Sequence, residues 1–243
     1  MPTRVCDSAG GSRPTVTVDK DVRSRTTGEA DAVEQPIPHK VYRAVRESII
    51  RGEYPPHLRL SEENLAKELG VSRVPLREGF RMLSRDGFIH QRPHRSAVVR
   101  EWTPDQVSEL YDVRLVFEVK AAGLAAQRVA GGGDPRPLWE TLDSIRDGQA
   151  PLDPLTAAEL STRFHRTMVE LTENPLLISI VEPLFPQMVW HSYLTRNHQP
   201  GVSHREHATI AEAITAGDPA LAEATTYVHI RRGREMSLKA AEH

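Results

Sequence analysis

The stretch from Val71 to Leu83 constrains the fold of this chain more than any other segment. Two adjacent faces recur at helical spacing, one with Leu76, Phe80 and Leu83 and one with Arg73, Arg77 and Arg81. Ser72 can cap this helix by accepting a backbone N–H, and Pro75 falls in the first turn, where a missing N–H costs little. The apolar face can therefore pack on its own domain while the basic face presents forked donors, which suit phosphate oxygens and the guanine edge.

The segment just before this helix predicts a shorter helix that ends in a turn. It supplies an N-cap, an acidic first turn, an apolar face and a glycine stop, which are Ser61, Glu62, Glu63, Leu65, Ala66, Leu69 and Gly70. Such an order of residues is typical of a short surface helix. Two helices joined by a short turn that contains Gly predict a helix-turn-helix.

The segment after the arginine-bearing helix predicts a β-hairpin. Residues 87–90 and 97–100 read as short strands, and the tip between them is basic and contains Pro93. The order of helix, helix-turn-helix and hairpin predicts a winged helix over residues 36–101. The whole chain is then mainly α, with this winged helix-turn-helix at its N-terminal end.

The sequence of this region resembles the GntR family of bacterial transcription regulators. The matching text is a helix over about 41–51, then Gly52 to Pro56, Leu58 to Glu62, Leu65-Ala66, Leu69 to Arg73, Pro75 to Glu78, and Leu83 with Asp86-Gly87. Many positions agree in order and spacing. Two positions depart from the pattern, since Glu63 stands where relatives often carry an Arg and Ser96 stands where a Gly is common.

The resemblance implies that this domain binds double-stranded operator DNA. The residues expected at the DNA are Ser72, Arg73, Arg77, Arg81, Arg92, His94 and Arg95. Arg73 and Arg77 would approach bases or phosphates, and the hairpin tip would enter the minor groove. From spacing alone, the arginines could instead form a solvated face that pairs with Glu78 and Asp86.

The charge of the chain supports the DNA-binding interpretation once it is divided along the sequence. The net charge is -2, but residues 38–101 hold 13 Lys+Arg against 8 Asp+Glu, whereas residues 102–243 hold 13 against 19. Positive charge therefore lies where a duplex would dock, and counterion release there can supply much of the affinity. The acidic remainder is expected to face away from DNA.

The start of the chain carries no pattern of a folded domain. Residues 1–35 mix Gly, Ser, Thr, Arg and Asp with few bulky side chains, so we expect a disordered leader and assign it no function. Its Cys6 is the single cysteine of the chain, which excludes an internal disulfide and favours a reducing cytoplasm. We expect no membrane association, because no apolar run approaches the roughly 20 residues that cross a bilayer.

The remainder, residues 102–243, predicts an antiparallel all-helical bundle. Thr103 caps and Pro104 opens a long helix to about Ala130. Further helices are expected over about 137–147, 156–172, 175–195, 202–216 and 219–239, with breaks at Gly- and Pro-containing turns. We therefore expect about six helices and no strand after Val99.

Three histidines of the bundle can converge. His165 lies mid-helix beside Phe164, and His207 and His229 lie on successive helices joined by the tight turn at Gly217. Imidazoles that meet inside a bundle can hold a first-row metal. Spacing alone leaves the alternative that each is a satisfied core histidine.

The bundle text resembles the FCD effector domain of the FadR-like GntR subgroup. The matching text is Leu110 to Arg114, Glu118, Leu124 to Ala126, Phe164-His165, Glu173 to Leu176, and His207 through Gly217 to Ala222 and His229. The resemblance implies a divalent metal, Zn or Ni, held by His165, His207 and His229. Relatives place an Asp one turn before the first of these, but this chain has Ser161, whose hydroxyl is a poor ligand and weakens the expected site.

The same resemblance makes Arg114 the residue that binds the carboxylate of a small organic acid. The alternative for Arg114 is a buried i, i+4 pair with Glu118. Other polar residues could also line the cavity but are expected at solvated or helix-end positions, namely His191, Asn197, His198, His204 and Arg232. The aromatic residues Trp139, Trp190 and Tyr193 are expected in the core or in a dimer interface.

Together these patterns predict a ligand-responsive DNA-binding transcription regulator. We expect a repressor that acts as a homodimer and is released from its operator by a small organic acid, with no enzymatic step. The alternative is a metal-dependent hydrolase or lyase that uses the three histidines, but this alternative leaves the winged helix without a role. In a third interpretation, the bundle serves only for dimerisation.

Overall fold

The computed structural model describes residues 35–91, 97–146, 153–195 and 200–241. The expected disordered leader lies outside these ranges, apart from Gln35. Arg92, His94, Arg95 and Ser96 of the hairpin tip, and Asn197 and His198, also lie outside them. Residues 35–243 form one compact unit.

The N-terminal part of that unit is a winged helix, as predicted. Its elements are α1 (Ile37–Ile50), β1 (Arg59–Leu60), α2 (Glu62–Glu68), α3 (Arg73–Arg85), β2 (Ile89–His90) and β3 (Ala97–Val99). The strands form an antiparallel sheet in the order β1-β3-β2, in which Leu60 pairs with Ala97 and Ile89 pairs with Val99. Strand β1 was not predicted, because two residues are too short for a periodic pattern.

The apolar face of α3 forms the centre of this domain. Leu76, Phe80 and Leu83 are fully buried against α1 and the sheet. Ser61 caps α2 as predicted, since its Oγ accepts the backbone N–H of Asn64 at 3.4 Å. Ser72 occupies the N-cap position of α3, but its side chain makes no capping hydrogen bond, so that prediction was wrong.

Pro75 removes one of the two backbone donors from which Ser72 could accept in a cap. An N-cap hydroxyl accepts a hydrogen bond from the backbone N–H two or three residues later. The third residue after Ser72 is Pro75, which has no N–H to donate. The hydroxyl of Ser72 is exposed and makes no capping hydrogen bond at the N-terminal end of α3.

The C-terminal part is an all-helical bundle. Its helices are α4 (Pro104–Ala130), α5 (Arg136–Arg146), α6 (Pro154–Glu170), α7 (Pro175–Val181), α8 (Leu184–Leu194), α9 (Pro200–Thr215) and α10 (Pro219–Ala241). Thr103 and Gln106 close a reciprocal capping box at the start of α4. None of the helices among the described residues is long and apolar enough to span a membrane.

The bundle has seven helices in the described ranges rather than the expected six. We expected one helix over about residues 175–195, but the structure divides it into α7 and α8. Pro183 lies at the break, as the N-cap of α8. A proline has no N–H for the i→i−4 ladder and its ring crowds the preceding turn, so the ladder is interrupted there.

The core of the winged helix continues into the bundle. The same cluster of buried residues contains Phe80 and Phe88 of the winged helix and Leu155, Ala158 and Trp190 of the bundle. Two ion pairs also join the two parts. Arg46 of α1 pairs with Glu159 of α6 at 3.1 Å, and Arg51, just after α1, pairs with Asp153, just before α6, at 3.3 Å. The winged helix is thus packed directly on α6, which carries His165, and on α8.

Candidate functional site

Helix α3 presents its arginines on an exposed face. Arg73, Arg77 and Arg81 are all exposed, and so is Val74, with 68% of its surface accessible. Arg77 Nε donates to Glu62 Oε2 of α2 at 2.8 Å. The pairing with Asp86 that spacing left open is not formed, because Asp86 is buried and accepts from Tyr42 Oη at 2.7 Å and Arg85 Nε at 2.8 Å.

The three histidines converge inside the bundle, as expected from the sequence. His165 is on α6, His207 on α9 and His229 on α10, and one ligand atom of each lies within 4.8 Å of the others. The closest pair of nitrogens is His165 Nε2 and His229 Nε2, which are 3.3 Å apart. The ring of His207 lies edge-on to both other rings, with centroids 4.9 and 4.8 Å away.

Two of the imidazoles have a carboxylate behind them. Glu206 Oε2 lies 2.9 Å from His229 Nδ1, and Glu118 Oε2 lies 2.7 Å from His165 Nδ1. The second contact has the length of an ion pair but lies outside hydrogen-bond alignment. A carboxylate at Nδ1 favours the tautomer with the proton on that nitrogen, which leaves the Nε2 lone pair toward the cluster.

His207 differs from the other two histidines. It is 1% exposed, its ring stacks on Phe164 at 4.3 Å between centroids, and neither ring nitrogen has a hydrogen-bond partner in the structure. Burial holds the pKa of His207 well below its ordinary value, with His229 and His165 adding to the effect. A buried neutral imidazole with unpartnered nitrogens is unfavourable alone and becomes satisfied as a metal ligand.

The donor set therefore fits a divalent first-row metal. Burial also lowers the pKa of His165 to about 4, so His165 and His207 are neutral near neutral pH, as ligands must be. No carboxylate joins the three imidazoles in the part of the chain that the structure describes. Ser161, one turn before His165, lines the same cleft and offers only a hydroxyl.

Arg114 forms the buried pair that the sequence left open, and it also lies beside the histidine cluster. It is buried and paired with Glu118, with Nε donating to Oε1 at 2.7 Å, and it also lines the cleft beside the histidines. Its Nη2 lies 3.4 Å from His165 Nε2. Burial opposes ionisation of both partners, but their mutual attraction outweighs it, so the pKa of Arg114 is raised and that of Glu118 is lowered.

His191 was expected at a solvated or helix-end position, and it lies in the last turn of α8 but is buried rather than solvated. The residue is 3% exposed, lines the same cleft, and lies edge-on to Tyr111 and to Trp102, with ring centroids 5.8 and 5.4 Å away. Burial, with a contribution from Arg114, lowers its pKa to about 4. The sequence signal available was the apolar run Met188 to Trp190 immediately before it, which marks this part of α8 as interior.

Arg232 lines the outer part of the cleft. It is exposed, in agreement with the prediction, but its Nη1 donates to Glu206 Oε1 at 2.7 Å. Since Glu206 also contacts His229, the guanidinium is linked through one carboxylate to the histidine cluster. The side chain of Glu206 was not singled out from the sequence, where it is one of many acidic residues.

A winged helix with an exposed arginine face, packed on a helical bundle that encloses a histidine cluster, defines a DNA-binding transcription regulator. Residues 38–99 match the bacterial regulatory proteins of the gntR family, and residues 109–232 match the FCD domain. The chain belongs to the gntR family and carries an FCD domain as its second part.

Named relatives support the same class. The chain is 29% identical over 184 residues to a protein of Paenarthrobacter nicotinovorans named a probable transcriptional repressor of the D-xylose utilization operon, covering 75% of this chain and 80% of that one. It is 26% identical over 201 residues to the transcriptional repressor RspR of Escherichia coli K12, covering 81% and 87%. These names give the hydrolase or lyase alternative no support.

A solved structure shows the same two-part architecture. The crystal structure of a GntR transcriptional regulator from Rhodococcus sp. RHA1 is similar with a TM-score of 0.69 and 25% sequence identity. The similarity covers 83% of this chain and 97% of that chain. The winged helix and the bundle are therefore found together in a relative.

Proposed function

We propose that this protein is a homodimeric repressor that leaves its operator when a small carboxylic acid binds in the cleft of the bundle. One observation carries the proposal: adjacent residues of α8 face the two functional parts. Trp190 stacks on Phe88 of the winged helix with ring centroids 5.0 Å apart, whereas His191 lines the cleft with Arg114. A displacement of α8 on ligand binding would therefore reach the DNA-binding domain without an intermediate element.

The DNA end of the mechanism rests on the exposed face of α3. Ser72, Arg73, Arg77 and Arg81 would meet bases and phosphates in the major groove, and Arg92, His94 and Arg95 of the hairpin tip would enter the minor groove. The hydroxyl of Ser72 is exposed at the start of α3, so it can donate to a phosphate. The pair between Arg77 and Glu62 is largely exposed, and such a pair costs about 0–1 kcal/mol to exchange for a DNA contact.

The acid end rests on the charge of the cleft. Arg114 is a buried cation whose Nη2 faces the histidine cluster, and Arg232 lies at the outer part of the same cleft. Buried polar groups in a concave site fix the orientation of a small ligand. A carboxylate fits here because it can accept from Arg114 while its second oxygen meets a metal, Zn or Ni, held by His165, His207 and His229.

Dimerisation rests on an apolar outer face of the bundle. Helices α4 and α10 pack on each other, and their outward residues include Val116 (66% exposed), Leu221 (49%), Tyr227 (46%) and Val228 (63%). Grouped exposed apolar residues of this kind mark interaction surfaces. A second copy of the chain, packed on this face, would bring two α3 helices to two half-sites of an operator.

Operator binding is tested by fluorescence anisotropy with DNA fragments from near the coding region of the protein. We expect a preference for one fragment over random duplex, and a steep loss of affinity between about 50 and about 200 mM salt. A panel of small carboxylic acids is then added, and one of them should release the protein. The absence of any salt-sensitive preference would contradict the proposed DNA-binding role of α3.

The acid site is tested separately with Arg114→Lys. We expect this variant to keep operator binding and to lose the response to the acid, because lysine cannot form the bidentate contact of a guanidinium. Arg166→Lys is the matched control, since Arg166 lies on α6 with an exposed partner, Glu182, at 3.0 Å. Equal responses of the two variants would contradict the role proposed for Arg114.

A further inference from the structure

The donor set of the histidine cluster is neutral. The three converging ligand atoms belong to His165, His207 and His229, and no Asp or Glu of the described residues joins them. The two nearest carboxylates are engaged on the far side of the imidazoles. Glu118 is held by Arg114 and lies at His165 Nδ1, and Glu206 is held by Arg232 and lies at His229 Nδ1.

The guanidinium and carboxylate groups around the cluster are paired with one another, so they provide no counter-charge for a divalent cation. Arg114 Nη2 is 3.4 Å from His165 Nε2, and the charge of this buried guanidinium is offset by Glu118. A dication added there would have imidazole ligands without charge and a guanidinium cation as a neighbour. Each carboxylate behind the imidazoles offsets one guanidinium, which leaves the charge of the metal to be neutralised by another anion.

We infer that metal and effector bind to this protein as an obligate pair, in which the effector supplies the anionic ligand that the chain itself lacks. The inference rests on the proposed function, because it assigns the anion to the same carboxylate that Arg114 holds. By linkage, the acid then raises the affinity for the metal by the same factor as the metal raises the affinity for the acid.

Ser161 is the residue of this chain that creates the dependence. It lies on the same face of α6 as His165, one turn earlier, and it lines the cleft. An Asp at this position would place a permanent anion next to the cluster. With a serine there, the regulator responds to the acid only when the metal is available. Its response therefore depends on the concentrations of both the metal and the acid.

The test is isothermal calorimetry of Zn²⁺ binding to the full chain after it has been stripped with a chelator and desalted. Acetate serves as the carboxylate probe, and chloride at the same ionic strength serves as its control. We expect acetate to raise the affinity of the parent protein for Zn²⁺ at least tenfold, beyond any effect of acetate on free Zn²⁺ measured with a reference chelator. Equal affinity in acetate and chloride would overturn the inference.

Two variants of Ser161 sharpen the experiment. We expect Ser161→Asp to bind Zn²⁺ tightly in chloride and to lose most of the effect of acetate on Zn²⁺ affinity. Ser161→Asn, whose side chain is similar in size to aspartate but has no charge, should behave like the parent protein. An acetate effect of the same size in Ser161→Asp would overturn the inference. If Ser161→Asp does not fold, the comparison of acetate with chloride in the parent remains decisive.

Operator binding of the same metal-free preparation separates this inference from the proposed function. Binding to operator DNA without metal or acid, together with equal Zn²⁺ affinity in acetate and chloride, would overturn only the pairing of metal and acid. Acetate-dependent Zn²⁺ binding by a protein with no preference for any DNA fragment would support the pairing and contradict the operator role.

Discussion

Phe88 of the winged helix stacks on Trp190 of the bundle, with ring centroids 5.0 Å apart and ring planes inclined by 19°. Both side chains are almost completely buried. Trp102, which leads from β3 into α4, lies edge-on to Trp190 and to His191, with centroids 5.8 and 5.4 Å away. The DNA-binding domain and the cleft of the bundle thus share one aromatic contact region.

The aromatic contact should couple the two parts energetically. In a double-mutant cycle of Phe88→Leu and Trp190→Leu, we expect a coupling of about 0.5–1.5 kcal/mol in the free energy of unfolding measured with urea. Trp139→Leu combined with Phe88→Leu is the control, because Trp139 packs in a different core cluster. Additive effects for both pairs would show that the stack carries no specific interaction.

Arg77 should contribute to base selection. Its exposed guanidinium on α3 can form a bidentate contact with guanine, so Arg77→Ala should weaken operator binding by about 1–3 kcal/mol and relax the preference at one base position. Selection from a randomised duplex library measures the preference. Arg136→Ala on α5 is the control and should leave operator affinity unchanged. An equal loss on operator and random DNA would assign Arg77 to phosphate binding instead.

Two mid-helix glycines should respond differently to alanine. A Cβ at Gly79 of α3 would approach Val41 Cγ1 of α1 to 2.7 Å and the Pro38 backbone oxygen to 3.2 Å, so Gly79→Ala should destabilise the protein by about 1–3 kcal/mol. The three atoms nearest to a Cβ at Gly123 of α4 all belong to the Glu223 side chain, with Oε1 at 2.3 Å and Cγ at 2.8 Å.

The side chain of Glu223 is partly exposed and can rotate away, although it would lose its ion pair with Lys120. Helix propensity favours Ala over Gly by up to about 1 kcal/mol, so Gly123→Ala should be near neutral or stabilising. Urea unfolding of the two variants checks the contrast. A larger loss for Gly123→Ala than for Gly79→Ala would mean that α4 and α10 cannot adjust at this contact.

The sequence was sufficient where a pattern is local. The two faces of α3, the cap at Thr103 and the breaks at glycine turns follow from residue spacing, and the structure contains them. The convergence of His165, His207 and His229 was expected mainly from a family resemblance, because spacing alone does not select three histidines among 11.

The sequence was insufficient where tertiary packing decides. His191 is buried because α8 is enclosed between the winged helix and α4, and neither neighbour is close to it in the chain. The carboxylates behind His165 and His229 come from α4 and α9, so their roles depend on helix packing rather than on spacing. The loss of one capping donor at Pro75 could be predicted for Ser72, but that required counting the donor position as well as the residue type.

Burial of His191 should make the protein less stable in mild acid. Its pKa is lowered to about 4 in the folded protein, whereas an unfolded histidine titrates near 6.5. Between these values the unfolded chain binds the proton and the folded protein does not, so stability rises with pH across the window. Titration of His191 therefore does not lower the free energy of unfolding above about pH 6.5, and it lowers that free energy by about 2 kcal/mol at about pH 5.

His191→Phe isolates this contribution, because phenylalanine keeps a ring between Tyr111 and Trp102 but cannot bind a proton. Buried His165 acts in the same direction, so the parent should lose more than the contribution of His191 alone. We expect His191→Phe to reduce the loss between about pH 7.5 and about pH 5 by about 2 kcal/mol, measured by urea unfolding at each pH. His39→Phe, at an exposed position on α1, is the control. An identical pH dependence in the parent and His191→Phe would mean that His191 becomes protonated in the folded protein as readily as in the unfolded chain.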